Sequence, residues 1–289
     1  MIDELPQLEE DALRVARLSL AEDGPRDITT LVTVPPDSPG RGRFEFRTGG
    51  IVAGIPYANA VAAECGLAEP CWTAHDGDRC APGSVLGTME GSLAALLRAE
   101  RPMLNLMQRA TGIATTARAY MDALHGTPCR VLHTRKTAPG LRGLDVRAVL
   151  AGGGARHRTD LATTVMVKDN HWRALEASGR SIADALADAR ARGVIGLQVE
   201  VETDIQLELA CAAGATRLLV DNQSPATLAE WAARARALAP GIEIEATGGI
   251  TLANVRGYAE AGANFVSIGA LTHSVRAGDV AFEIEAVGR

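Results

Sequence analysis

None of the chain's cysteines has the spacing of a structural site. Cys65, Cys71, Cys80, Cys129 and Cys211 are odd in number and form neither a CxxC pair nor a Cys/His set of zinc type. A disulfide framework and a zinc site are therefore not expected, and reduced, mostly buried thiols are. Long apolar runs are missing too. The first residues, MIDELPQLEEDALRVARLSL, are acidic and amphipathic, without the basic start and continuous apolar core of an export signal, and no later run approaches the length of a membrane span. A cytoplasmic protein without a membrane partner is expected. There is no surplus of positive charge: the formal net charge of -6 and a pI near 5.6 argue against a general nucleic-acid binder, so local basic residues call for a pocket and not a global field. No GxGxxG turn follows the first strand-like run of the α/β part, which weakens a dinucleotide-binding reading.

What is present is enough apolar material for a full core, 47% of 289 residues, and a length that suits one large domain or two smaller ones. From about residue 129 onward, strand-like runs at Arg130–Thr134, Thr164–Val167, Leu197–Val201, Arg217–Val220, Ile242–Ala246 and Phe265–Ile268 alternate with amphipathic stretches. Those stretches, such as Ser181–Arg192, Asp204–Ala213, Ala226–Ala237 and Leu252–Ala261, have helical spacing. This βαβα rhythm predicts parallel strands covered by helices, an α/β barrel closed or partly open, with an open doubly wound sheet as the alternative. Residues 1–115 read differently, as an α+β domain of Gly-rich turns and short strands with connecting helices. The stretch Ser92–Leu124 is helical, with Pro102 opening a new helix. The barrel is expected over 116–275, and the segment 276–289 packs back on the N-terminal domain.

Polar residues recur at one position of this pattern. Arg135 and Lys136, Lys168, Glu200, Asp221, Thr247 and Gly269 each stand at or just beyond the C-terminal end of a strand-like run, which in a barrel is the catalytic face. Arg135, Lys136, His157, Arg158 and Lys168 lie between apolar runs, and such a cation cluster suits a ligand with several anionic groups. The turns ATGGIT (246–251) and SIGALT (267–272) follow the last two runs, where barrels bind phosphate through backbone N–H groups. Glu200 and Asp221, at adjacent strand ends, are two hard oxygen ligands suited to Mg²⁺, and they can equally neutralise the neighbouring cations.

The segments TRKTAPGLR, GGGARHR and VKDNH, with EDGPRDITT, AERPMLNLMQRATGIAT, ATGGIT and GALTHS, run through nearly the whole chain and resemble the quinolinate phosphoribosyltransferase family. The resemblance implies transfer of a phosphoribosyl group from phosphoribosyl pyrophosphate to quinolinate with Mg²⁺, loss of CO₂, and formation of nicotinate mononucleotide. It implies that Arg135, His157, Arg158 and Lys168 hold the quinolinate carboxylates, joined by Arg101 reaching into the neighbouring subunit's site of a homodimer. Lys136 contacts substrate or pyrophosphate. Glu200 and Asp221 serve ribose and metal, with Lys136, Lys168, Glu200 and Asp221 as the catalytic set, and Thr247, Gly248, Gly249 and Gly269 surround the 5′-phosphate.

Two departures from the family's common pattern bear on substrate preference. Val146-Arg147 stands where a Lys-Tyr pair is common, and Thr247 where Ser is more frequent. Alternatives are a transferase of the same fold for another heteroaromatic acid, the molybdenum-associated branch, against which the KDNH ending argues, and a non-catalytic phosphosugar-binding barrel.

Overall fold

The computed structural model describes residue 5 and residues 7–287. Residues 1–4, 6, 288 and 289, at the outer ends of the stretches assigned to the first and last domains, lie outside the described residues. Two compact units are formed, and neither is a single stretch of chain: among the described residues one gathers 119–135 with 155–269, and the other gathers those up to 118 with 136–154 and those from 270 onward. Among the described residues no helix is long and apolar enough to cross a membrane.

In the second unit, β1 (Pro39–Phe46), β2 (Gly50–Ile51), β3 (Cys71–Trp72), β4 (Arg79–Cys80) and β5 (Ser84–Ser92) are short or single-faced antiparallel strands, with helices Leu8–Glu22 and Ile55–Glu64 packed together. The 31-residue helix Leu93–Ala123 runs straight through Pro102, so no new helix opens there. Losing a hydrogen bond and fitting the ring cost about 3 kcal/mol. Leu96, Ala99, Met103, Leu106, Met107 and Ala110 are all buried at helical spacing across the proline, and each large one contributes roughly 1.5–3 kcal/mol, so packing overrides the break.

The first unit carries β6 (Arg130–Leu132), β7 (Val165–Val167), β8 (Leu197–Val201), β9 (Arg217–Asp221), β10 (Glu243–Thr247) and β11 (Phe265–Ser267), all parallel in the order β6-β11-β10-β9-β8-β7. A single bridge, Leu132 to Ala155, extends the β6 edge, so the α/β barrel is partly open where residues 156–164 run. The strands alternate. Val199, Val201, Leu218, Val220, Ile244, Ala246 and Val266 are buried on one face, while Gln198, Glu200, Arg217, Glu243, Glu245 and Ser267 fall on the other by the period of two. A parallel sheet covered on both faces is ordinarily apolar throughout. Here the second face is instead tied by charge: Arg217 bonds Glu243 through Nε and Nη2 at 2.9 and 2.8 Å and Glu245 through Nη1 at 3.1 Å, and its guanidinium lies 4.1 Å from the Phe265 ring centre.

The last strand, β12 (Val280–Ala286), returns to the second unit and pairs antiparallel with β1, completing the order β12-β1-β5-β3. Phe282 stacks against Phe44 at 4.4 Å, and Gly42 leaves the space, since a side chain there would meet the Phe282 ring at 1.9 Å.

Local differences from the sequence reading have local causes. The helix expected from Leu252 begins at Val255, because Asn254 accepts from the Thr251 N–H at 2.7 Å and donates to the Gly249 carbonyl at 3.1 Å, holding a turn in place of a first helical turn. Helices Arg142–Ala151 and Asp169–Ser178 were not anticipated. The second starts where the Lys168 N–H donates to His171 Nδ1 at 3.0 Å and ends on left-handed Gly179, which gives the KDNH segment a structural purpose as a helix start. All five cysteines are free, but only Cys129 and Cys211 are buried; Cys65 and Cys80 are half-buried and Cys71 is exposed.

Candidate active site

Parallel strands bring their C-terminal ends to one side, so residues far apart in the chain converge there. Lys168 directly follows β7, Glu200 lies in the last turn of pleat of β8, Asp221 ends β9 and Thr247 ends β10, with Thr247 and Asp221 in register. Lys168 Nζ is ion-paired with Glu200 Oε2. Glu200 is nearly buried, and its other oxygen accepts from the Asp169 N–H at 3.4 Å. Burial pushes the Asp221 carboxyl above its ordinary range, the charge of Glu200 adds to the rise, and an Asn222 side-chain bond of 2.7 Å works against it. One lysine, paired with Glu200, does not balance both carboxylates, so the charge of the site suits a further cation. Among the described residues no group of three or more His, Cys, Asp or Glu side chains is arranged to hold a metal ion; a metal held by Glu200 and Asp221 would lean on ligand phosphates.

The turn after β10 is shaped for close approach. Gly248 and Gly249 take φ of +81° and +59°, and a Cβ on Gly248 would stand 2.1 Å from Asn222 Oδ1. Asn222 is itself left-handed and donates its N–H to the Thr247 carbonyl at 2.9 Å, locking the ends of β9 and β10 to this turn. The helices that follow are short, Val255–Glu260 and Ala270–His273, so loop N–H groups and not a long helix end are what Thr247–Gly249 and Gly269 can present.

His157 and Arg158 lie on the segment that crosses the barrel's unpaired gap. The His157 N–H donates to His133 Nε2 at 3.0 Å, and its side chain, 7% exposed, turns Nε2 toward Glu245 Oε2 at 3.3 Å. Arg158 Nη1 donates to the Thr164 carbonyl at 3.3 Å. Arg135, just past β6, has its Nε buried with no hydrogen-bond partner in the structure. A buried guanidinium donor left unpaired at the strand ends is costly unless a ligand meets it. Lys136 and Arg101 belong to the other compact unit. The Lys136 carbonyl accepts from Thr272 Oγ1 at 2.8 Å, and Arg101 stands exposed on the long helix, 3.9 Å from Glu100.

The family model for the quinolinate phosphoribosyl transferase C-terminal domain matches residues 113–283 and that for the N-terminal domain matches residues 27–111. The chain belongs to the quinolinate phosphoribosyltransferase family. It is 38% identical over 263 residues to the nicotinate-nucleotide pyrophosphorylase [carboxylating] of Mycobacterium leprae, covering 89% of this chain and 91% of that one. It is 42% identical over 211 residues to the probable enzyme of that name from Bacillus subtilis, covering 72% and 71%. The structure of nicotinate-nucleotide pyrophosphorylase from Francisella tularensis superposes with a TM-score of 0.89 at 28% identity over 99% of both chains.

Within this family frame the chain's unusual Val146-Arg147 pair has a structural reading. Val146 is fully buried, and Arg147 Nη1 reaches the buried Asp11 carboxylate at 3.3 Å and the Tyr57 hydroxyl at 3.2 Å, with Tyr57 donating to Asp11 at 2.6 Å. Arg147 is thus engaged in holding helices Leu8–Glu22 and Ile55–Glu64 to the helix Arg142–Ala151. Sequence reasoning singled out neither Arg109 nor Asp145. Arg109 binds the buried Asp145 carboxylate with Nε and Nη2 at 2.7 Å each and also donates to the Thr272 carbonyl at 2.9 Å. Asp145 in turn accepts from the Ala138 N–H at 3.1 Å. Together with Thr272 on the Lys136 carbonyl, this network fixes the TRKT loop's exit. No motif or spacing announces it. Glu245 is the other residue missed, although a glutamate in a buried strand face is itself a signal.

Proposed function

We propose that this protein catalyses decarboxylating phosphoribosyl transfer from phosphoribosyl pyrophosphate to quinolinate, giving nicotinate mononucleotide, pyrophosphate and CO₂ in NAD biosynthesis. The observation that carries the reading is the unpartnered, buried Arg135 Nε at the same strand ends as Lys168, Glu200 and Asp221, in a chain that belongs to this family. A pyridine dicarboxylate beside a pyrophosphate is strongly self-repelling in a pocket of low dielectric, so fixed cations are needed to hold both. Arg135, Arg158, His157 and Lys168 serve the carboxylates, and Lys136 meets substrate or pyrophosphate. The glycine turn at Thr247–Gly249 and Gly269 receives the 5′-phosphate.

The ring nitrogen forms a bond to the anomeric carbon as the bond from that carbon to pyrophosphate breaks, and the electron pair leaves with pyrophosphate. Glu200 and Asp221 face the positive charge that develops on the ribosyl centre. The product is a pyridinium, so the C2–carboxylate bond can break with its electron pair held on the carbon beside the positive nitrogen. CO₂ departs and a proton fills C2. No electron-sink cofactor is needed. Glu200 and Asp221 are also the residues that would hold Mg²⁺, which supplies charge neutralisation to the pyrophosphate.

With Mg²⁺, phosphoribosyl pyrophosphate and quinolinate, pyrophosphate and CO₂ are expected in equal amounts. Nicotinate, which lacks the 2-carboxylate, is expected to be a poor substrate because cations placed for that group stay unpaired. Efficient turnover of nicotinate with none of quinolinate overturns the assignment.

The exposed Arg101 supports a homodimer in which this side chain completes the partner's quinolinate pocket. Arg101→Ala and Lys136→Ala proteins, each inactive alone, should regain activity when mixed under conditions of verified subunit exchange, since one site of each hybrid carries neither change. A mixture that exchanges and stays inactive returns Arg101 to its own chain.

A further inference from the structure

We infer that Glu245 is a positioning residue for quinolinate: a carboxylate sealed inside the barrel that fixes the Nε2 edge of His157 and so makes the opposite edge, Nδ1, a donor for a substrate carboxylate. The inference rests on the reading of His157 as a carboxylate holder.

An imidazole offers two edges, and in its neutral form one donates while the other accepts. His157 Nε2 faces Glu245 Oε2 at 3.3 Å, which favours a proton on that nitrogen and leaves Nδ1 for a ligand. A neutral ring would then present a lone pair at Nδ1 to the lone pairs of the substrate carboxylate, which repel. Holding the carboxylate requires both ring nitrogens protonated in the complex, and such a ring needs a counter-charge on its other side. Glu245 is that charge. The 3.3 Å approach is an ion-pair distance without the alignment of a hydrogen bond, and contacts of this kind tighten when a ligand loads the site.

The simpler account is that Glu245 only neutralises Arg217. The geometry weighs against it. Two donors of Arg217, Nε and Nη2, go to Glu243 at 2.9 and 2.8 Å, and only Nη1 reaches Glu245, at 3.1 Å. The Glu245 side chain is 1% exposed, so water does not screen it, and the remaining contacts are His157 and the Ser267 hydroxyl. Burial pushes the Glu245 carboxyl up, but His157, Ser267 and Arg217 together bring it below its ordinary range, with His157 the strongest of the three. The ionisable groups that face His157 are Glu245 from β10, Arg217 from β9 through Glu245, and His133 just past β6 with its ring edge-on at 6.3 Å, while Arg156 and Arg158 flank it in sequence.

A double-mutant cycle read by calorimetry tests the coupling. Glu245→Gln and His157→Ala are each expected to weaken quinolinate binding about tenfold or more, as befits loss of a charge-assisted contact. The double variant should lose no more than about twofold beyond His157→Ala, while phosphoribosyl pyrophosphate affinity stays within about twofold in all three. Independent, fully multiplying losses overturn the inference and leave the role of His157 standing. Unchanged quinolinate affinity in His157→Ala removes that role instead. Should Glu245→Gln not fold, nitrogen-15 spectra of histidine-labelled wild-type protein decide, with the His157 signals assigned by their absence in His157→Ala. Both ring nitrogens protonated with quinolinate bound is the expected result, and a neutral ring in the complex overturns the proposal.

Discussion

Replacing Arg135 by Ala is expected to weaken quinolinate binding by about 2–5 kcal/mol while leaving the fold as stable as before. The two halves of that expectation have one source. The Arg135 Nε is buried and has no hydrogen-bond partner, so in the free protein it is a desolvated donor that gains nothing. A substrate carboxylate supplies what is missing, in the forked geometry that guanidinium and carboxylate share. Truncation therefore removes a large term from the complex and a small or slightly unfavourable one from the free fold. Calorimetric titration with quinolinate and a thermal melt of the same preparation measure both. Unaltered affinity would take Arg135 out of the site, and a large drop in melting temperature would mean that its contribution is to the fold. Arg135→Lys is expected to recover only part of the binding, because an ammonium lacks the fork.

Asp145→Ala has the largest expected effect on stability, about 3–5 kcal/mol, the range found when one partner of a buried ion pair is removed. The Asp145 side chain is fully buried and Arg109 is only 23% exposed, so the orphaned guanidinium cannot simply turn to water. The Ala138 N–H loses its acceptor as well. At roughly 2–4 °C per kcal/mol for a chain of a few hundred residues, the melting temperature should fall by about 10 °C. Activity should fall beyond what unfolding explains, since the same network fixes the loop that begins at Lys136. Paired replacement, Arg109→Met with Asp145→Leu, is expected to cost less than either single change, because no charge is then left alone. A single variant that melts with the parent would show that the pair contributes nothing.

The alternation of β and α segments from residue 129, and the return of polar residues to strand ends, were legible because both are periodic features of neighbouring residues. The family resemblance was legible because its motifs are short and contiguous. The sequence by itself thus determined the α/β barrel and the placing of Lys168, Glu200, Asp221, Thr247, Gly248 and Gly249 at or just past the C-terminal ends of its strands. What only the tertiary structure decided are the pairings across distance. Pro102 reads locally as a helix start, and only the buried residues on both sides of it keep the helix continuous. Arg147 reads only as a departure from the family's common pattern, and the buried Asp11 and Tyr57, brought beside it by folding, show where it is held. The polar interior of the barrel, in which Glu245 faces His157 and Arg217, follows from strand order and register, and neither is encoded in the spacing of residues along one strand. Propensity and periodicity act over a few residues, whereas the partner of a buried charge is chosen by the packing of elements that meet only in the folded chain.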